Sequence, residues 1–277
     1  QILSTTINPA NLAIWLINDE GALCAISHQV QKAIYVPMPP EAFAPFNVRF
    51  SEGRYYLCGG SSNIWYFVMS EGRWTPVIVP PPRPSAPQRA AGEASADYVR
   101  RMGSALLDYS NNYPPLFGSF SVGTDEYFVG GRGRVFRLRN GRVDDLWIDS
   151  GNRLIHGHEE SGKAIICGGD PLTEIFSGTI EDGFELIYRN DEPALHMTAT
   201  FLGKHYIGAG VDPNYSGPCL FTLEDGELAP VETGCAREPA QLSLLRTTGM
   251  VLWAVDRDGI FRLSDGRWTL KERAELS

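Results

Sequence analysis

Residues 154–161 read LIHGHEES, which places His156, His158 and Glu160 two positions apart. On an extended strand successive side chains point to opposite faces, so these three share one face. A histidine–x–histidine pair followed by a carboxylate is a donor set able to chelate a metal ion. The competing expectation is that histidines on an inner strand hydrogen-bond a neighbouring strand. Since no further ligand is demanded by the sequence, no cofactor and no metal is expected, and His156, His158 and Glu160 stand as the only metal candidates. The isolated His196 and His205 are read as structural.

The following stretch, GKAIICGGD from Gly162 to Asp170, raises the question of a phosphate-cradling loop. Such a loop opens a helix, whose N-terminal amides hold the anion. Here another strand follows, so the double glycine is expected to end an inner strand where small residues let blades approach each other. No G-x-S-x-G, H-E-x-x-H or Walker pattern occurs. No catalytic residue is assigned.

The stretch has relatives along the chain: GRYYLCGGS from Gly53, GTDEYFVGGR from Gly123, GKHYIGAGVD from Gly203, GMVLWAVD from Gly249, and a weaker ANLAIWLIND from Ala10. Each is a turn, an apolar strand and small residues. A second strand follows, then a turn such as RNGRV or SDGRW. The turn glycines Gly72, Gly141, Gly183, Gly226 and Gly266 are spaced by 69, 42, 43 and 40 residues. Asn-Gly and Asp-Gly between apolar runs are strong hairpin signals because both turn residues need positive φ. With a strand before each opening glycine and one after each turn, the unit is four strands, A to D, in about 40 residues. Six such units predict an all-β chain, a β-propeller of six four-stranded blades forming one domain over 1–277. The ring is expected to close by packing the first blade on the last, without an exchanged strand.

The double glycine ending strand B resembles kelch repeats, and DGIFRLSDGRW (Asp258 to Trp268) resembles the blades of bacterial sensor-type propellers. SDGRWT from Ser264 is superficially similar to the turns of sialidase propellers, without their spacing. The resemblance spans nearly the whole chain and is to an architecture, which implies a rigid disc with variable loops.

In that architecture the A–B and C–D turns share one face, the bottom, while B–C loops and D–A links share the top. Function concentrates in long, varied loops, here the top ones. The residue after strand B is Asp19, Ser61, Arg132, Asp170, Asp212 or Asp256, and four acids in six are expected to ring the mouth and focus a negative potential. The alternative is that each aspartate caps its own turn. Arg257 follows Asp256. The insertion from Pro80 to Pro115 reads as a Pro-rich linker and then an amphipathic helix, with Tyr98, Met102, Leu106 and Tyr109 at helical spacing and Arg101 beside them. It lies between blades two and three and reads as a lid, a docking arm or a shield. The loop GVDPNYSGP offers Asn214 and Tyr215, residue types found at interfaces.

The chain carries 33 acids against 24 bases, a net charge of −9, with no basic cluster. That argues against nucleic acid as a partner and toward a protein with a basic surface. The five cysteines form no C-x-x-C pair, and no long apolar segment or signal peptide is visible. A reducing, cytoplasmic setting, no membrane partner and a monomer are expected. The function expected is a non-catalytic scaffold for another protein. By analogy, it would suit a bacterial inhibitor or immunity protein neutralising a basic toxin. An enzyme working at the channel mouth and a carbohydrate-binding lectin are the alternatives.

Overall fold

Alternating apolar residues and two-residue turns build six antiparallel sheets, each from four consecutive strands. The computed structural model describes residues 2–8, 13–18, 23–27, 32–36, 44–85, 88–169, 172–190, 195–210, 215 and 217–273. Sheet one holds β1 (Ile2–Asn8), β2 (Ala13–Asn18), β3 (Leu23–Ser27) and β4 (Lys32–Val36). Sheet two holds β5 (Pro45–Ser51), β6 (Arg54–Gly59), β7 (Ile64–Val68) and β8 (Arg73–Ile78). After the helix α1 (Ser95–Asn112) comes sheet three, β9 (Leu116–Val122), β10 (Asp125–Gly130), β11 (Arg134–Arg139) and β12 (Arg142–Trp147). Sheet four holds β13 (Leu154–Glu160), β14 (Lys163–Gly169), β15 (Thr173–Thr179) and β16 (Gly183–Asn190). Sheet five holds β17 (Leu195–Phe201), β18 (Lys204–Ala209), β19 (Leu220–Glu224) and β20 (Glu227–Pro230). Sheet six holds β21 (Leu244–Thr248), β22 (Val251–Val255), β23 (Gly259–Ser264) and β24 (Arg267–Glu272). The weakly marked first repeat is a complete blade, and among the described residues the first and last sheets are each built from their own four consecutive strands.

Hairpin chemistry sets the registers. Asn140–Gly141, Asp225–Gly226 and Asp265–Gly266 all have both residues at positive φ, as the primed turns require. Glu52–Gly53, Ser161–Gly162 and Leu202–Gly203 do the same at A–B turns, although their first residues are not typical αL formers. The buried apolar side chains fall into clusters that each join two consecutive blades. Trp15, Tyr55 and Phe67 join blades one and two, Tyr56, Phe128 and Phe136 blades two and three, and Phe120, Ile166 and Phe176 blades three and four. Ile165, Ile207 and Phe221 join blades four and five, and Tyr206, Leu252 and Phe261 blades five and six. Stability is therefore built between blades, the arrangement expected of stacked repeats.

The glycines show where backbones nearly touch. A β-carbon on Gly168, within CGGD, would sit 1.9 Å from the Arg153 carbonyl oxygen. At Gly168 the close approach is thus to the start of the same blade's inner strand, and not to another blade as the sequence suggests. Between blades, a β-carbon on Gly118 would lie 2.1 Å from the Ile155 carbonyl oxygen. Gly118→Ala is expected to cost roughly 1–3 kcal/mol by overpacking, read from urea unfolding. Gly103→Ala in α1, where nothing lies within 4 Å, serves as the control free of overpacking and is expected to cost nothing or to stabilise by up to about 1 kcal/mol.

The insertion folds on itself. The Tyr109 hydroxyl donates to the Pro81 carbonyl (2.9 Å), and Arg101 reaches the Gln88 carbonyl (3.2 Å), so the Pro-rich segment runs back along α1. Tyr98, Met102, Leu106 and Tyr109 are half-buried on one face, while Val99 and Leu107 are 58% and 61% exposed. No helix among the described residues is long and apolar enough to cross a membrane.

Candidate functional site

The first strand of each sheet is innermost, and polar side chains stitch these strands together. The Asn47 amide donates to Ser4 Oγ (3.3 Å) and the Ser119 hydroxyl to Asn47 Oδ1 (2.5 Å), linking blades one, two and three. Arg49 Nη2 donates to Ser121 Oγ (2.9 Å) and Arg49 Nε faces Glu126 at 3.3 Å. The Thr247 hydroxyl donates to the Thr200 carbonyl (2.7 Å), linking blades six and five.

His156 and His158 belong to this stitching. The Thr198 amide donates to His156 Nδ1 (3.3 Å), so the neutral ring carries its proton on Nε2. His205 Nε2 lies 3.1 Å from Glu160, so it donates to the carboxylate and leaves Nδ1 to accept from the Thr200 hydroxyl at 3.3 Å. Thr200 Oγ1 in turn accepts from His158 Nε2 at 2.7 Å. The result is a directed chain from His158 through Thr200 and His205 to Glu160. Burial pushes His156 down to about 4, with Arg49 and Arg246 adding to the effect, and His158 down to about 3. His156 and His158 spend their bonds on β17 rather than converging with Glu160. Among the described residues no group of three His, Cys, Asp or Glu is placed to hold a metal ion. His205, expected to be isolated, is a member of the chain.

Of the residues expected around the mouth, Asp19, Asp170, Asp212 and Asn214 lie outside the described residues. Asp256 is only 5% exposed. Its carboxylate accepts from Arg237 Nη1 and Nη2 (2.5 and 2.9 Å) and from the amides of Ala240, Asp258 and Gly259 (3.0, 2.9 and 2.8 Å). That is the turn-capping alternative, in a fuller form, and it leaves the carboxylate no open face. Arg257, next to it, is exposed. Arg132 sits at φ 59° after β10 and donates to Asn111 of α1 (2.5 Å). Arg134 donates to the Asn112 carbonyl, so the end of the insertion is tied to the top of blade three. Arg101 pairs with Glu93 (2.9 Å) and lies over the Tyr98 ring, so both hold the insertion together. The Tyr215 hydroxyl donates to the Pro218 carbonyl (2.9 Å), which folds its ring onto its own loop.

A feature the sequence did not announce lies at the top ends of the inner strands. In β1, β5, β9, β13 and β17 the register slips at the second residue, leaving one extra residue opposite the partner strand. Such a bulge bends a strand and re-aims a side chain. The bulged residues in blades two to five are Phe46, Phe117, Ile155 and His196, all half-buried. The Phe46 and Phe117 rings lie 5.4 Å apart, and the exposed Arg153 stands over Phe117 at 5.8 Å. His196 rests against Gly210, where a β-carbon would fall 2.3 Å from its Nδ1. The arrangement gives a partly open apolar rim, flanked by an arginine and stiffened by bulges. Such a surface suits binding by contact. The only sequence signal for it was a break in alternation, two consecutive non-alternating residues such as Leu116–Phe117 and Leu154–Ile155.

No protein-family model matches the chain, and neither does any curated protein. Solved structures do resemble it. A structure of YCF48 bound to D1 peptide superposes with a TM-score of 0.64 at 11% identity, covering 98% of this chain and 82% of that one. A chain of the mitotic checkpoint complex superposes with a TM-score of 0.62 at 9% identity, covering 96% and 75%. At these identities the likeness shows the fold, a β-propeller.

Proposed function

We propose that the chain is a non-catalytic propeller scaffold that binds a protein partner through its top face, with the bulged rim of Phe46, Phe117 and Ile155 as the contact centre. The observation that carries this is the same bulge at the same place in five inner strands. A device repeated across blades at one end of the molecule is not needed for sheet pairing, which the other registers supply. Half-buried aromatics beside an arginine are the side chains that dominate interface energetics. The two solved neighbours, YCF48 bound to D1 peptide and a chain of the mitotic checkpoint complex, support a protein ligand.

The partner's basic surface follows from the net charge of −9 and from the sequence positions of Asp19, Asp170 and Asp212. An inhibitor or immunity role against a basic toxin is one instance of that reading and rests on charge alone. The single-domain, monomeric and cytoplasmic assignments belong to the same proposal.

The test is selection of displayed peptides against the full chain. Binders are expected to be enriched by the native protein and to lose at least tenfold in affinity, about 1.4 kcal/mol, against Phe117→Asp or Phe46→Asp. Arg142→Asp, on the exposed outer strand β12, should leave binding unchanged. Binders that ignore both rim variants would overturn the assignment.

A further inference from the structure

Between β8 and α1 the chain reads VPPPRPS from Val79 to Ser85, and no part of that stretch is helix or strand. A proline holds its own φ at about −65° and steers the residue before it away from the helical region. Val79, Pro80, Pro81 and Arg83 each precede a proline, so both rules act on nearly every residue here. Pro80, Pro81, Pro82 and Pro84 have no amide hydrogen and supply no donors for a sheet. The conformation left to the segment is polyproline II, with about three residues per turn. That period puts Pro81 and Pro84 on one ridge and Arg83 on the ridge beside it.

The structure ties this segment down at its edges and leaves its middle open. The Tyr109 hydroxyl of α1 donates to the Pro81 carbonyl (2.9 Å), and further along the chain Arg101 donates to the Gln88 carbonyl (3.2 Å). Pro80 is half-buried, whereas Pro81, Pro82, Arg83, Pro84 and Ser85 are exposed. A ridge stiffened by its own prolines and anchored on a helix has little freedom left to lose on binding. Charge adds a second observation. From Pro80 to Pro115 the insertion carries four arginines against three acids, in a chain whose net charge is −9. Three of those arginines are occupied within the insertion. Arg89 donates to the Glu93 carbonyl, Arg101 pairs with the Glu93 carboxylate, and Arg100 lies 3.5 Å from Asp97. Arg83, among the exposed prolines, has no partner among the described residues.

We propose that Pro81–Ser85 is a docking ridge for a polyproline-reading domain of a partner protein. Such a domain offers a groove lined by aromatic side chains, which here would take the Pro81 and Pro84 rings. A carboxylate beside the groove would pair with the open Arg83 guanidinium in a charge-assisted bond and set the direction of the ridge. Recognition runs through a displayed segment of the insertion, so this surface is separate from the bulged rim and does not depend on the rim proposal.

The experiment is surface plasmon resonance of the full chain over a panel of purified WW domains and Src-homology polyproline-reading domains, with an unrelated domain as reference. Saturable binding to at least one panel member is expected. The joint change Pro81→Ala with Pro84→Ala, and separately Arg83→Glu, are each expected to weaken it about tenfold or more. Alanine at position 81 keeps the carbonyl that Tyr109 binds, and all three positions are exposed, so the variants should unfold at the native temperature. Arg142→Asp, on the exposed outer strand β12, should leave binding unchanged. A panel that binds no better than the reference domain, or binding that ignores either ridge variant, would overturn the proposal.

Discussion

Asp256→Ala is expected to destabilise the chain by about 3–5 kcal/mol, the range seen when one partner of a buried ion pair is removed. In the native protein this carboxylate satisfies Arg237 and three backbone amides at distances of 2.5–3.0 Å. Burial alone would push the carboxyl up, but Arg237 and the amides outweigh it and hold it below the usual range. Alanine leaves the guanidinium over the Phe261 ring with only Glu272, 3.3 Å from its Nε, as counter-charge, and strands the amides of Ala240, Asp258 and Gly259. The segment from Arg237 to Ala240, which leads into blade six, then loses its anchor. Asp256→Asn keeps the shape and part of the bonding, so its loss should be intermediate. Urea unfolding of the three proteins checks this ordering. A loss below about 1 kcal/mol for the alanine variant would remove the anchoring role.

Acid is expected to weaken the fold well above the range where carboxylates titrate. Burial holds His156 down to about 4 and His158 to about 3, against an ordinary value of 6.5. Between these values and 6.5 the unfolded chain binds protons that the native chain refuses. Stability is therefore fully present above pH 6.5 and falls as pH drops toward 4, by up to about 1.4 kcal/mol per pH unit for each histidine. Two histidines double the slope. Charging His156 would bring a third positive group up to Arg49 and Arg246, and charging His158 would place one beside His156 and His205. Thermal unfolding followed from pH 7.5 to 4.5 should show the loss beginning below pH 6.5. His156→Gln with His158→Gln should flatten it. A midpoint constant down to pH 5 would contradict neutral burial.

The blades were legible in the sequence because their signals are local. Asn140–Gly141 and Asp265–Gly266 carry their turn geometry in two residues, and the apolar runs between them fix which face packs. The helix over Ser95–Asn112 was legible from the spacing of Tyr98, Met102, Leu106 and Tyr109 for the same reason. The site was less legible because it depends on relations between distant residues. Asp256 occupies the repeat position of the other aspartates, but Arg237 and the turn amides make it a buried anchor, which position alone does not reveal. His205 reads as solitary until Thr200, opposite it in the β17–β18 hairpin, and Glu160, from blade four, are brought to it. The rim was missed for a further reason. A bulge is a mismatch between two strands, and neither β9 nor its partner β10 contains a residue that demands one.

The central claim is that a protein partner docks on the bulged rim. It is tested most directly by hydrogen–deuterium exchange on the full chain, with and without the tightest selected peptide. Protection is expected at the heads of the inner strands, residues 44–48, 115–119, 153–157 and 195–198, with the bottom turns at Gly53, Gly141 and Gly226 unchanged. Protection confined to the bottom turns or the outer strands, with the inner-strand heads unaffected, would contradict the account.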